Sequence, residues 1–394
     1  MSAAMPLPLR MVLLSAIGLM EAMVFGLTHP FYALNLQDQG FSESAIGLNA
    51  TLGGLGVFLV GPFVPWLIAR AGYRNYTVFC FMAAAAAIGA LATGPGFLGW
   101  CLSRLLLGVA LGSLWILTEA WLNEIVPDTA RGRANAIFQF CYSIGFMAGP
   151  GLVIAVGFAG HLPIAFMVLM ALAGGVATLF LPQPAAAPEN HRLDLGVARE
   201  ALPLIAVAFV TGLVETALYT MLPIFGQRAG FGEDGALSLL IALSLGAISL
   251  ALPLGLASDR FDRLKLLALV SAGALVSMGL LWAGTLSYPV ALAACFLAGG
   301  TIIGMYSVSL VILGERYAQR ALSSVAACYA MAYALGSTFG GLMGGGSVEL
   351  AGATGLPALG TAVIGLYVAC LLIGAARRHA ARQRATPSTH WELT

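Results

Sequence analysis

Apolar residues in this chain come in long unbroken runs, with polar residues gathered in short clusters between them. Twelve runs stand out. They cover roughly 11–34, 45–69, 75–95, 98–124, 133–157 and 161–181, then, after a break, 202–226, 236–257, 265–284, 288–313, 321–345 and 354–376. A helix needs about 20 apolar residues to cross a bilayer, and each run is close to that length. A membrane barrel strand would instead alternate in polarity over about ten residues. The pattern predicts an all-α membrane protein with twelve transmembrane helices.

The polar clusters orient these helices. With the N-terminus in the cytoplasm, sixteen of the eighteen basic residues fall on the cytoplasmic side. Arg228 falls on the opposite side and Arg104 lies within a run. Basic residues concentrate in cytoplasmic loops, so both termini are expected in the cytoplasm. Composition narrows the class further. The 394 residues are 60% hydrophobic and 9% charged, where a soluble domain carries roughly 45–50% and about 25%. That excludes a soluble multi-domain enzyme. A net charge of +1 with no basic patch excludes a nucleic-acid binder, and the hydrophobicity excludes a disordered chain. Cys80, Cys101, Cys141, Cys295, Cys328 and Cys370 all lie in apolar runs with no CxxC spacing. They read as small core residues. The first run is too long for a signal-peptide core and carries Glu21, so no cleavable leader is expected.

The two halves of the chain repeat each other at a shift of about 190 residues. Glu21 is followed by Pro30 and Gly40-Phe41-Ser42-Glu43; Glu215 is followed by Pro223 and Gly230-Phe231-Gly232-Glu233. At a shift of 191, Glu124 meets Glu315, Tyr142 meets Tyr333, Gly145 meets Gly336 and Gly149 meets Gly340. Parallel repeats of six helices are the pattern of an alternating-access carrier with its site between the halves. The expected domains are a six-helix bundle over 1–181, a cytoplasmic linker over 182–200, a second six-helix bundle over 201–376 and a cytoplasmic tail over 377–394. The linker sequence, rich in proline and mixed charge, marks the break.

Two loops carry a further motif. Gly255-Leu256-Ala257-Ser258-Asp259-Arg260-Phe261-Asp262-Arg263 follows the eighth run, and Pro65-Trp66-Leu67-Ile68-Ala69-Arg70-Ala71-Gly72-Tyr73-Arg74 follows the second. Both resemble the G-x-x-x-D-R-x-G-R-[RK] motif of the major facilitator superfamily. Asp262 stands where that family has its second Gly, and Ala69 where it has Asp. Arg104 sits where many members carry an arginine in the fourth span. Gly145-Phe146-Met147-Ala148-Gly149-Pro150 resembles part of the fifth-span motif of proton-driven exporters, and equally a stripe of small residues that lets helices approach. The resemblance covers nearly the whole chain. It implies a secondary transporter of two pseudo-symmetric six-helix bundles, rocking about a site formed mostly by spans 1, 4, 7 and 10. It also implies an inner gate at the cytoplasmic helix ends.

Charges within the bilayer cost roughly 2.5–3.5 kcal/mol on insertion scales, so each needs a reason. Glu21 and Glu215 lie near the middle of their runs. They are the expected proton-coupling residues, able to take up and release a proton as their surroundings change; the alternative is a hydrogen-bonded structural lock. Arg104, Trp115 and Glu119 share one helical face. Arg104 and Glu119 are about 22 Å apart along the axis at 1.5 Å per residue, too far to pair. Arg104 therefore either meets an anionic substrate group or binds backbone carbonyls and tunes a neighbour. With Trp115 and Glu119, the polar and aromatic residues Gln139, Tyr219, Tyr306, Tyr329 and Tyr333 are candidates for lining the substrate site. Arg70, Arg74, Glu124, Arg131, Asp259, Arg260, Glu315 and Arg320 are the expected inner gate. His29 reads as a hydrogen-bonded helix-end residue.

No nucleotide motif, cofactor site or metal-ligand spacing is present in the sequence. The expected protein is not an enzyme. It is expected to move a small organic solute across the bacterial inner membrane, coupled to protons, and to work as a monomer. Export is favoured over the uptake of a small anionic or aromatic nutrient, and a non-transporting membrane sensor is the remote alternative.

Overall fold

The computed structural model describes residues 6–126, 128–183, 199–317 and 322–385. At 123, 128–133, 136, 252, 259, 322–324 and 374–385 it describes the backbone alone. Most of the 182–200 linker and the end of the 377–394 tail therefore lie outside the described residues.

Long apolar runs give long helices, and no strand occurs among the described residues. The helices are α1 (Leu7–Asp38), α2 (Glu43–Val60), α3 (Val64–Ala71), α4 (Tyr73–Gly89), α5 (Phe97–Ile125), α6 (Asp128–Val156) and α7 (Leu162–Leu179) in the first half of the chain. In the second half they are α8 (Leu202–Arg228), α9 (Gly232–Arg260), α10 (Arg263–Gly284), α11 (Tyr288–Tyr317), α12 (Leu322–Ala351) and α13 (Gly355–Ala385). A 3₁₀ turn at Gly61–Phe63 joins α2 to α3 so that they run as one crossing. Most helices extend a few residues past the apolar runs, because the backbone can stay helical where polar side chains re-enter water.

Eleven stretches among the described residues are long and apolar enough to cross a membrane. The last, Val325–Ile373, is 49 residues long and is broken at the 3₁₀ turn Gly352–Thr354. The outward side chains agree with a lipid setting. Phe79, Leu98, Leu106, Phe140, Leu269 and Leu366 are among many large apolar residues left on the surface. In water so much exposed apolar area would drive association; in lipid it is the solvated face. The chain is a multi-pass membrane protein.

Packing repeats between the halves. In the first, α1 packs on α6, α2 on α5 and α4 on α7; in the second, α8 packs on α12, α9 on α11 and α10 on α13. The matched glycines are the reason that two of these pairs come so close. A Cβ on Gly145 or Gly149 would collide with the α1 backbone at Leu19 and Leu27. A Cβ on Gly336 or Gly340 would collide with the α8 backbone at Phe209 and Leu213. Small residues let helix backbones approach without side chains between them. The Gly145–Pro150 fragment thus has a packing role in this fold.

The two motif loops are built differently. Gly72 has a φ of 77°, a region open to glycine, and turns α3 into α4. Asp262 instead caps α10, its carboxylate accepting from the Lys265 N–H at 2.9 Å. The replacement of the family's Gly by Asp262 is therefore matched by a different turn.

Candidate functional site

The halves meet through α2 on α12 and α6 on α9, with α1 touching α8. The join is tight at the face away from the termini. Gly47 of α2 lies against Gly341 and Gly345 of α12 with no room for a side chain. The Leu342 N–H donates to Thr51 Oγ1 at 2.9 Å, and the Ser44 N–H to Glu349 Oε2 at 2.8 Å. Arg228 at the end of α8 forms an ion pair with Glu43 at the start of α2. Deeper in, an aromatic layer spans the halves. The rings of Phe146 and Tyr219 are 4.8 Å apart, and His29 lies 5.9 Å from Tyr219 and 5.0 Å from Phe25. The His29 Nδ1 is 3.0 Å from the Phe25 carbonyl.

Beneath this layer lie most of the expected site residues. Trp115, Glu119, Glu215, Tyr306 and Tyr333 are half-buried and Gln139 is exposed, although all belong to the middle helices. Such exposure inside a bundle means a water-accessible cavity. Trp115 Nε1 donates to Glu119 Oε1 at 3.1 Å, and Gln139 Nε2 donates to the same oxygen at 2.9 Å. Across the cavity the Tyr333 hydroxyl donates to Glu215 Oε2 at 2.8 Å. The rings of Trp115 and Tyr333 are 6.2 Å apart and those of Tyr306 and Tyr333 5.3 Å. One connected surface thus runs from Glu119 on α5 to Glu215 on α8. Glu215 also borders a small crevice with Leu218, Tyr219, Leu243 and Ile302.

Other candidates sit apart from that surface. Tyr329 is buried; its hydroxyl lies 2.7 Å from Ser309 Oγ and donates to the Tyr306 carbonyl at 2.8 Å. It braces Tyr306 from behind. Arg104 is also buried, with its guanidinium 5.0 Å from the Tyr32 ring centroid and its Nε against Gly53. That position is toward the closed face. Tyr219 belongs to the aromatic layer above the cavity, where its hydroxyl lies 3.3 Å from Ser244 Oγ.

Glu21 is fully buried beside the cavity. Its Oε2 is 3.3 Å from the Thr118 hydroxyl, and Oε1 has no hydrogen-bond partner among the described residues. Glu119 lies close enough to act on it electrostatically, and the Tyr142 hydroxyl approaches it as a hydrogen-bonding neighbour.

The gate residues are scattered. Glu315 pairs with Arg263, and the Arg263 Nε donates to the Ser258 carbonyl at 3.0 Å, so this link ties α9, α10 and α11 of one half together. Arg70 lies 5.8 Å from the Trp66 ring. Arg74 is half-buried, while Glu124 and Arg260 are exposed. The side chains of Arg131 and Asp259, and Arg320 altogether, lie outside the described residues. The sequence reading missed Glu43, Ser44 and Glu349 at the closed face. One signal was there: Arg228 is the single basic residue on that side of the chain.

Comparisons with known proteins agree with this architecture. An uncharacterized MFS-type transporter of Bacillus subtilis (strain 168), YfkF, is 26% identical over 330 residues, covering 81% of this chain and 84% of that protein. The uncharacterized MFS-type transporter YcaD of Escherichia coli O17:K52:H18 is 25% identical over 292 residues, covering 73% and 74%. Among solved structures, a D-xylose–proton symporter superposes with a TM-score of 0.76 at 15% identity, over 91% of this chain and 96% of that one. The nucleoside transporter NupG does so at 0.75 and 14%, over 93% and 98%. At these identities the structures speak for the fold. The family model described as Major Facilitator Superfamily matches residues 14–341. With most of its length inside that match, the chain belongs to the Major Facilitator Superfamily and is a transporter of a small solute rather than an enzyme.

Proposed function

We propose that this protein is a proton-coupled secondary transporter that exports a small organic solute by alternating access. It crosses the bacterial inner membrane twelve times in two six-helix bundles, as a monomer with both termini in the cytoplasm. The stretch 325–373 supplies two of the twelve crossings. At about 1.5 Å per residue, its 49 residues are more than twice as long as the ~30 Å hydrocarbon layer. On this reading the closed face is periplasmic and the cavity opens to the cytoplasm.

The observation that carries the reading is the pair of repeat-related glutamates, Glu21 and Glu215, held in mid-span beside a cavity sealed at one face. An ionised carboxylate in hydrocarbon is costly, whereas a wet one is not. Each glutamate is then neutral when occluded and ionised when its cavity is wet, which is the difference a proton carrier needs. Proton and solute shift the equilibrium between the two faces by their differential affinity for the two states. Trp115, Glu119, Gln139, Tyr306 and Tyr333 form the solute site. Tyr219 closes it above, Tyr329 braces it, and Arg104 tunes the closed end. Arg70, Arg74, Glu124, Arg131, Asp259, Arg260, Glu315 and Arg320 form the inner gate that closes when the outer face opens.

The test uses purified protein in proteoliposomes with a solute first found by thermal shift, since a ligand stabilises the folded carrier. An antiporter accumulates solute in vesicles with an acid interior, and a symporter in vesicles with an alkaline interior, whichever way the protein is inserted. Accumulation with the acid interior is expected. Equal flux under both gradients and under none would remove the proton from the mechanism; accumulation with the alkaline interior would make the protein an importer.

A further inference from the structure

Among the described residues, the charged side chains placed at the cavity are carboxylates. Among the described residues neither Glu21 nor Glu215 has a cationic partner. The Tyr333 phenol is what Glu215 receives from the protein, and fully buried Glu21 has the Thr118 and Tyr142 hydroxyls beside it. The nearest embedded cation, Arg104, lies toward the closed face, its guanidinium over Tyr32 and its Nε against Gly53 of α2, with no hydrogen-bond partner for that Nε among the described residues. His29 is engaged with the Phe25 carbonyl in the aromatic layer on the closed side. Beside the carboxylates stands an aromatic wall. The Trp115, Tyr333 and Tyr306 rings follow each other at 6.2 and 5.3 Å, half-exposed to the cavity.

These two features ask for the same ligand. A carboxylate shielded from bulk water is stabilised by a charge-assisted partner, and none is present for Glu215 among the described residues. Aromatic faces attract cations, and more strongly where water is excluded. An anion would meet carboxylates and the negative faces of the rings at once. We propose that the cavity binds an organic cation, an amine or quaternary ammonium on an apolar body, with its charge beside Glu215 and its body against Trp115, Tyr306 and Tyr333. This rests on the transporter reading above and adds its substrate class. It also supplies the coupling: a proton and the cation compete for one carboxylate, so loading one displaces the other.

The experiment measures binding of radiolabelled tetraphenylphosphonium to the purified full-length protein in nanodiscs, with no gradient. Phenethyltrimethylammonium and phenylpropionate, alike in body and opposite in charge, serve as competitors. The ammonium is expected to displace the label at a concentration at least about tenfold lower than the carboxylate. Lowering the pH is expected to weaken binding, because protons occupy the site. Glu215→Gln is expected to cost the label at least about tenfold in affinity, and Trp115→Phe less. Wild-type charge preference is read without any variant, so a poorly folded mutant does not blunt the test. Equal displacement by both competitors, preference for phenylpropionate, or no saturable binding of the label would overturn the proposal. If binding fails while pH-driven flux of another solute persists, the cation site is wrong and the carrier reading stands. If the cation binds as expected but no gradient moves it, the site stands and the carrier reading falls.

Discussion

The two mid-membrane glutamates come from matching places in a repeat, yet the two halves treat them differently. Around Glu21 everything is closed. The Thr118 hydroxyl has one proton, and the carbonyl of Leu114 lies 2.8 Å away to take it, against 3.3 Å for the Glu21 oxygen. Glu21 therefore receives only a long donation from that hydroxyl, shared with the helix backbone. Around Glu215 the arrangement is reversed. The Tyr333 phenol donates to the carboxylate at 2.8 Å, and the side chain is half-exposed. The repeat has thus kept two carboxyls at one depth while giving one a sealed pocket and the other an open, aromatic one. A duplicated scaffold divides labour in this way. The packing residues stay matched, since helix crossings tolerate little change, and the chemistry diverges through the few side chains that face each carboxyl.

The strongest test of that division is the pair Glu21→Gln and Glu215→Gln. Glutamine keeps size and hydrogen bonding but cannot titrate. In Glu21→Gln, gradient-driven accumulation is expected to fall by the whole coupling, about 5–150-fold for typical coupling energies, while exchange of solute for solute continues. In Glu215→Gln, exchange itself weakens, because the solute site is damaged. Counterflow and gradient-driven uptake measured on the same vesicles separate the two. If both variants still accumulate solute under a pH gradient alone, the carboxyls are structural.

Next come the packing glycines, where the halves should behave alike. Gly145→Ala and Gly336→Ala each push a methyl into the backbone of the neighbouring helix. Overpacking typically costs about 1–3 kcal/mol, and the loss of thermal stability in detergent is expected to be similar for both. A large effect in one half alone would show that the crossings, too, have diverged.

Much of this was legible in the sequence, and the physical reason is length. Apolar runs of bilayer length announce themselves, as do charges inside them, so the helices and Glu21, Arg104, Glu119 and Glu215 could be read directly. The partners of those charges could not. Thr118 is 97 residues from Glu21 and Tyr333 is 118 from Glu215; only the fold joins them. Local spacing also misdirects. Glu315 sits beside Arg316 in the sequence, yet its ion pair is with Arg263 on another helix. Tyr329 and Tyr333 read as equivalent wall residues on α12, but one turn of helix separates a buried brace from a cavity face.

The hydroxyls sharpen the comparison further. A hydrogen bond to a charged group contributes about 1.5–3 kcal/mol. Tyr333→Phe is therefore expected to change solute affinity by about tenfold or more. Thr118→Val removes a contact that is long and shared with the helix backbone, so its effect on coupling is expected to be small. Equal effects from the two changes would mean that Glu21 and Glu215 are solvated alike.

The smallest expected effect lies at the closed face, where the repeat is again broken. Glu43 and Glu233 occupy matching Gly-Phe-x-Glu segments. Glu43 pairs with Arg228 across the halves, whereas Glu233 is exposed and has no ion pair among the described residues. The Arg228 side chain is 37% exposed and Glu43 15%, and exposed pairs contribute about 0–1 kcal/mol. A difference of that size changes a two-state ratio by about fivefold at most. Glu43→Gln is thus expected to raise the population open at this face by a few-fold, and Glu233→Gln to leave it unchanged. Spin labels at Leu48 and Met343, both on the surface of α2 and α12, would report the ratio as two distance populations. The shift should shrink in high salt, because an exposed pair is already screened there. If Glu43→Gln leaves the ratio untouched at low salt, the glycine contact of Gly47 with Gly341 and Gly345 holds the face closed without help from charge. If Glu233→Gln shifts it equally, the effect belongs to net charge at that surface rather than to the Arg228 pair.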